Sequence, residues 1–333
     1  MYICPSFWGY RMSTSLLERH QVWLYLAAVS GGAGAGLASS SVGPIGDRLV
    51  WPLLAALLLA TFLLVPMAHV RRALADRRFA SAILVGNFIV LPCIVAALMT
   101  VLPDHPPLRL GVMLVLLAPC IDWVITFAQL GRGDAARAMA VTPLNLLGQI
   151  VLLPVALGLA GAQARPAVSG DVLMLVIVVV AVPLIVALAL DRWIAAAPSA
   201  RGIWRTRVSR LPVPLLTAVL ACVAAAHADA LVDALEHAVG SGLIHALGAF
   251  VAFLVVAAVL AKVLAVVWRL PAAQGRTLAF SFGTRNSFVI LPWVLVLPAG
   301  WEMAAVVVVL QSLVELLGMI AYLWLIPRKL FPD

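Results

Sequence analysis

The chain has 333 residues, 64% of them hydrophobic and only 11% charged, with a mean hydropathy of +1.11 and a net charge of +8. A soluble domain of this size cannot keep so much apolar surface out of water, whereas the hydrocarbon core of a bilayer solvates it directly. The composition excludes a large soluble domain. It also excludes nucleic acid as a partner, because no basic cluster alternates with aromatics and the positive charge falls in short segments between apolar runs.

Residues 1–21 read as a cytoplasmic N-terminus. Arg11 and Arg19 precede an apolar stretch ending in small residues, Gly31 to Ala38, and so imitate a secretion signal. The run continues through small residues of the kind that pack helix on helix, which favours a first membrane span. Spans of about 20 apolar residues suit one crossing each. In order they are Val22–Ala38, Leu49–His69, Ala80–Leu102, Leu108–Leu130, Met139–Ala160, Val172–Leu190, Leu211–His227, Leu243–Val267, Thr277–Leu297 and Met303–Ile326. Cys93, Cys120 and Cys222 fall inside these runs, Cys4 lies outside, and none forms a CxxC, so no disulfide framework or zinc site is indicated.

The loops alternate in charge. With the N-terminus inside, the inner segments carry Arg71, Arg72, Arg77 and Arg78, then Arg132 and Arg137, then Arg192, Arg201, Arg205, Arg207 and Arg210, then Arg269 and Arg276, and finally Arg328 and Lys329. The outer loops hold only Arg48, Arg109 and Arg165, as the positive-inside rule requires. This pattern places both termini in the cytoplasm and the chain in the plasma (inner) membrane, with the lipid bilayer as its solvent.

About ten spans split by the longest basic loop, Asp191–Arg210, suggest two halves of five. An odd number per half inverts the second half, as in many secondary transporters. The expected organisation is a first five-helix repeat over residues 22–160, a second, inverted repeat over 161–326, and a cytoplasmic C-terminus over 327–333. The fold class is all-α integral membrane. The fourth and ninth spans correspond, and both are irregular, at Ala118-Pro119-Cys120-Ile121-Asp122-Trp123 and at Phe282-Gly283-Thr284-Arg285-Asn286-Ser287. Interrupted segments at matching places in two halves point to a midplane site.

Four ionisable residues fall within apolar spans, namely Asp122, Lys262, Arg285 and Glu315. Each costs about 3 kcal/mol or more at a helix centre and needs a cavity, a partner or a neutral state. Lys262, about two turns from Arg269, can snorkel to the interface. Asp122 and Arg285 adjoin the two breaks with opposite sign and could pair across the centre. Glu315 reads as a lone carboxylate suited to proton exchange, with Gln311 one turn earlier on its face. Asn145 and Gln149 repeat that spacing in the fifth span. Cys120, between Pro119 and Asp122, places a soft thiol where a solute could meet it.

At these residues the chain resembles the arsenite efflux permeases of the bile acid/arsenite/riboflavin transporter superfamily. The resemblance rests on Cys120-Ile121, Val124-Ile125, Leu130 and Gly133-Asp134, continues through Leu144-Asn145 and Gln149, and includes Asn87 with Pro92 and Leu313 with Glu315. It implies a core domain with two crossing broken helices beside a panel domain, with Cys120 as the arsenite-contacting residue, while the positions of Asp122, Asn145, Gln149, Arg285 and Asn286 at the breaks and along the polar stripes place them, as an expectation, around the substrate. It also implies export in exchange for protons, for which the intramembrane carboxylates Glu315 and Asp122 are the expected carriers. The chain departs from its relatives in the ninth span, where Asn286 is followed by Ser287 and Phe288 rather than by phenylalanine and glutamate. Ser281 and Arg285 stand where sodium-coupled relatives place a glutamate and a glutamine that bind sodium, and a fixed cation there repels sodium. Asp122 also departs from the arsenite permeases.

The leading expectation is a secondary transporter exporting arsenite or a related metalloid oxyacid, proton-coupled and not sodium-coupled. The alternatives are an organic-anion transporter in which Arg285 forks onto a carboxylate or sulfonate, or a non-transporting receptor or assembly subunit. No HExxH, GxSxG or Walker sequence is present, so neither an enzyme nor a cofactor is expected. Sequence is silent on oligomeric state.

Overall fold

A computed structural model of the chain describes residues 21–39, 41–64, 76–121, 123–159, 170–195, 204, 207–229, 232, 242–295 and 297–332. In chain order its helices are α1 Gln21–Ala38, α2 Val42–Leu64, α3 Arg77–Met99, α4 Pro106–Leu117, α5 Trp123–Leu130, α6 Ala135–Leu159, α7 Gly170–Ala195, α8 Pro212–Ala226, α9 Leu243–Val267, α10 Ala272–Gly283, α11 Ser287–Leu295 and α12 Glu302–Leu325. A π-helical turn over Gly86–Val90 interrupts α3, and a second, Ile326–Leu330, ends α12. Among the described residues there is no strand, only one isolated bridge.

Five helices, α2, α3, α6, α9 and α12 with its π turn, are long and apolar enough to cross a bilayer. α9 shows why. It keeps the bounds expected from sequence, and its 25 residues rise roughly 37 Å, more than the ~30 Å hydrocarbon core. Ala246, Phe250, Phe253 and Ala257 are buried on one face, while Val251, Val255, Val259 and Val263 recur every turn on the exposed face. An outside as apolar as the inside is what lipid requires. The chain is a multi-pass membrane protein.

The helices pack in two groups. In one, α8 packs on α1 and α2, and α2 packs on α7; in the other, the rest pack around α9, α10 and α12. α11 touches α2 and α7, and α12 touches α1, joining the groups. Small residues let α1 and α8 meet backbone to backbone. A Cβ on Gly32 would lie 2.2 Å from the Ala221 carbonyl oxygen, and one on Gly36 would lie 2.4 Å from that of Ala225. Such close approach gives the dispersion contact that replaces the hydrophobic effect between helices in lipid. α2 begins at Val42 rather than Leu49, running through Asp47 and Arg48, which sequence reading assigned to a loop. Its expected end at His69 lies outside the described residues.

Arg276 also departs from expectation. Counted in sequence as a loop cation, it sits within α10 and is buried. Its Nε and Nη2 donate to the Phe331 carbonyl at 2.9 and 2.7 Å, and its Nη1 donates to the Arg132 carbonyl at 3.1 Å. Unspent carbonyls at chain bends solvate the guanidinium, so it does not need water. Lys262 is exposed, donates to the Leu330 carbonyl at 2.8 Å and lies over the Phe331 ring. Near this end Asp76 caps α3 by accepting from Phe79 N, and it accepts from Arg137 Nε at 2.7 Å. Burial alone would raise the Asp76 pKa, but the Arg137 and Phe79 bonds and the nearby Arg137 and Arg78 charges together hold it below the usual carboxylate value.

Candidate functional site

The expected fourth and ninth spans are each two helices, and their breaks meet. α4 stops because Pro119 offers no N–H and forces Ala118 out of the helical region, to φ −93° and ψ 104°. α10 stops at Gly283, and Thr284 follows at φ −94° and ψ 137°. Gly283 is tightly enclosed, since a Cβ there would lie 2.7 Å from the Tyr322 ring and 2.8 Å from the Met319 methyl. The two extended stretches form an antiparallel bridge at Pro119 and Arg285. Asn286 N donates to the Ala118 carbonyl at 2.8 Å, and Cys120 N donates to the Thr284 carbonyl at 3.3 Å.

Arg285 is buried at this junction. Its Nη1 donates to the Leu116 carbonyl at 3.2 Å. Its Nη2 donates to Asn87 Oδ1 at 3.1 Å and to the Ser281 and Phe282 carbonyls at 3.1 and 2.7 Å. Leu116 lies in the last turn of α4, and Ser281 and Phe282 in the last turn of α10, so these carbonyls lack intrahelical donors. Two negative helix ends thus converge on one guanidinium. The Phe253 ring covers it from α9, 5.1 Å from the guanidinium carbon. Arg285 Nε, also buried, has no hydrogen-bond partner among the described residues.

Around Arg285 runs a continuous polar network. Asn87 Nδ2 donates to Asn145 Oδ1 and to Ser281 Oγ, both at 3.3 Å. Asn145 Nδ2 in turn donates to the Cys120 carbonyl at 3.3 Å. Asn286 Nδ2 donates to Gln149 Oε1 at 3.3 Å, while the buried Gln149 Nε2 has no partner among the described residues. On the other side Ser287 Oγ pairs with Gln311 Oε1 at 2.8 Å. Glu315 Oε2 accepts from Gln311 Nε2 at 2.7 Å and from the Arg285 backbone N at 2.9 Å. Glu315 is therefore not the lone carboxylate that sequence suggested, because α12 packs on α11 and brings it against the broken end of α10.

The structure thus gathers Cys120, Asn145, Gln149, Arg285, Asn286 and Glu315 about one junction. Asp122 lies outside the described residues, and so does its expected pairing with Arg285. The described partners of the Arg285 side chain are carbonyl-type oxygens rather than a carboxylate. Nη2, which takes part in both the end-on and the side-on fork of a guanidinium, already donates to three oxygens, so neither fork is open to an organic anion. Asn87, Ser281, Ser287 and Gln311 join the network without having been expected as site residues. Asn87 carried a signal, since it is an amide in an apolar span five residues before Pro92, and in the structure it lies in the π turn of α3. Such turns insert one extra residue and re-aim a side chain, and they recur at functional sites. Beside the junction, Trp123 of α5 stacks on Tyr25 of α1 at 6.2 Å and meets Phe288 of α11 edge-on at 5.5 Å. These rings bridge the two helix groups where α5 and α11 begin.

Residues 51–234 match the Sodium Bile acid symporter family. An alignment of 171 positions, covering 47% of the chain and 44% of the other protein's length, is 28% identical to the Arsenical-resistance protein Acr3 of Corynebacterium glutamicum. The family match covers more than half of the 333 residues on a polytopic helical fold, and the chain belongs to the Sodium Bile acid symporter family of membrane transporters.

Proposed function

We propose that this transporter exports arsenite or a related neutral metalloid oxyacid, coupled to protons and not to sodium. The observation that carries the reading is a pair of buried donors without partners among the described residues, Gln149 Nε2 and Arg285 Nε, flanking the junction that also holds Cys120. A buried donor left unsatisfied costs about 1–3 kcal/mol, so its retention favours a ligand bearing acceptor oxygens. A metalloid oxyacid supplies such oxygens, together with a soft centre that prefers a thiolate. The similarity to an arsenical-resistance protein supports the same substrate. Gln149, Asn145, Asn286, Asp122 and Arg285 surround the solute, and Glu315, with Asp122, exchanges the proton.

The transport cycle rests on two inverted repeats, residues 22–160 and 161–326, in about ten crossings, with both termini in the cytoplasm and the chain in the plasma membrane. The paired breaks, Pro119 with Gly283, support this arrangement. The Arg285 guanidinium, already fixed between two helix C-termini, supports sodium independence, since a second cation a few ångströms away would be repelled by about 4 kcal/mol at an effective dielectric of 20. The closed guanidinium fork weighs against the organic-anion reading.

The test is Cys120→Ser, set beside Cys222→Ser, in cells scored for arsenite tolerance and intracellular arsenic. Serine nearly keeps the size but replaces a soft ligand with a hard one. Loss of tolerance in the first variant alone is the expected result. Equal tolerance in both removes Cys120 from the mechanism and the metalloid reading with it.

A further inference from the structure

We propose that the end of α9, together with the segment that closes α12, forms a headgroup site for an anionic phospholipid. Four cations gather there. Lys262 and Arg269 lie two turns apart at the end of α9, and Arg328 and Lys329 lie in the π turn after α12. The two pairs are joined by the Lys262 bond to the Leu330 carbonyl, which folds the tail back onto α9. All four are exposed, and none has an acidic partner among the described residues. α9 and residues 326–332 contain no acidic residue, and of the two in α12, Glu302 is at the opposite end and Glu315 is buried.

Both helices expose apolar side chains on the way to this cluster, Val259, Val263 and Val266 on α9 and Leu317, Ile320 and Trp324 on α12, which packs against α9. Arg328 lies over the Trp324 ring, 5.9 Å from its centroid, in the pairing of aromatic belt and cation found at the headgroup level. Lys262 needs particular explanation. It stands about 10 Å inside Arg269 along the helix, among exposed valines, where the Leu330 carbonyl and the Phe331 ring solvate the ammonium but supply no counter-charge. Its one bond to a carbonyl leaves two of three donors for a ligand. A phosphodiester above two acyl chains matches both the charge and the exposed apolar side chains, which a free phosphate cannot do.

The experiment uses the full chain in nanodiscs of phosphatidylglycerol or of phosphatidylcholine. Lipid retained on transfer to mild detergent is read by native mass spectrometry, and the melting midpoint is read beside it. Wild type should keep phosphatidylglycerol in preference to phosphatidylcholine and melt higher in it. Each cation removed should lower that retention about fivefold, since a basic residue at an anionic surface contributes on the order of a factor of five in affinity. Lys262→Met tests the deep position. If its lost bond to Leu330 prevents folding, Arg328→Gln with Lys329→Gln carries the test and leaves that bond in place. Arg192→Gln, an exposed cation on α7, should change nothing. Equal retention of the two lipids by wild type, undiminished phosphatidylglycerol on the double variant, or full stabilisation by inorganic phosphate in phosphatidylcholine nanodiscs would each overturn the proposal.

Discussion

Arg285→Met removes four hydrogen bonds and a buried positive charge in one step. The Leu116, Ser281 and Phe282 carbonyls close α4 and α10, so without the guanidinium they have no helical donor, and burial keeps water from replacing it. Asn87 Oδ1 loses its donor as well. Taken singly, bonds to a charged group are worth about 1.5–3 kcal/mol, but four on one centre do not add. Breaking a buried charged cluster from one side gives the better scale, about 3–5 kcal/mol. That is a large share of the roughly 5–15 kcal/mol that holds a domain folded. Glu315, which accepts from the Arg285 backbone, loses the positive charge of that side chain beside it. Arg285→Lys should lose less, because an ammonium keeps the charge and three donors but cannot span the separation that the two terminal nitrogens bridge. Melting midpoints in detergent should therefore fall in the order wild type, lysine variant, methionine variant. In wild type the midpoint should not change when choline replaces sodium. A methionine variant that melts with wild type would show that the carbonyls do not depend on Arg285, and the electrostatic account of the junction would fail.

Three further outcomes are expected. Gly36→Ala should lower the melting midpoint by an amount equivalent to about 1–3 kcal/mol, because its methyl meets the backbone of Ala225, whereas Gly34→Ala, with nothing within 4 Å, should be neutral or stabilising. Glu315→Gln should retain the fold, since an amide oxygen can still accept from Arg285 N and Gln311, but should flatten the pH dependence of export; a profile identical to wild type would free Glu315 from proton coupling. Because the folded pKa of Asp76 lies below 3.8, its stabilisation is present above that pH and is lost as pH falls through the folded value, so Asp76→Asn should lower stability near neutrality and blunt the loss on acidification.

Much of the architecture was legible in the sequence, because lipid leaves few choices. Apolar length gave the helices, and proline and glycine in opposite-charge surroundings gave both breaks. What pattern could not give was direction. Arg276 sits at the edge of an apolar run and reads as a loop cation, yet α10 starts four residues earlier, at Ala272, and carries it inward to the carbonyls of Arg132 and Phe331. Arg285 and Glu315 were both singled out, but that the arginine's backbone would meet the carboxylate, while its side chain turned to carbonyls, depends on where α12 lies. Asn87 was legible as an amide in an apolar run. Its orientation was not, because a π turn shifts every residue after it by part of a turn relative to a regular helix.

The junction also explains why the breaks come in a pair. Opening one helix in a hydrocarbon environment strands backbone donors and acceptors, each costing several kcal/mol without a partner. The break before Pro119 leaves the Ala118 carbonyl and Cys120 N unspent, and the break after Gly283 leaves the Thr284 carbonyl and Asn286 N in the same condition. Each supplies what the other lacks, as the bonds from Asn286 to Ala118 and from Cys120 to Thr284 show. The carbonyls just before each break remain, and a single arginine takes them from both sides. Such a site cannot be assembled one helix at a time: repairing either break with a helix-forming residue would take away the partners of the other. Irregular backbone at membrane depth is thus tolerated because it is shared, and the donors on Gln149 and Arg285 without a partner among the described residues are the ones assigned to the proposed solute.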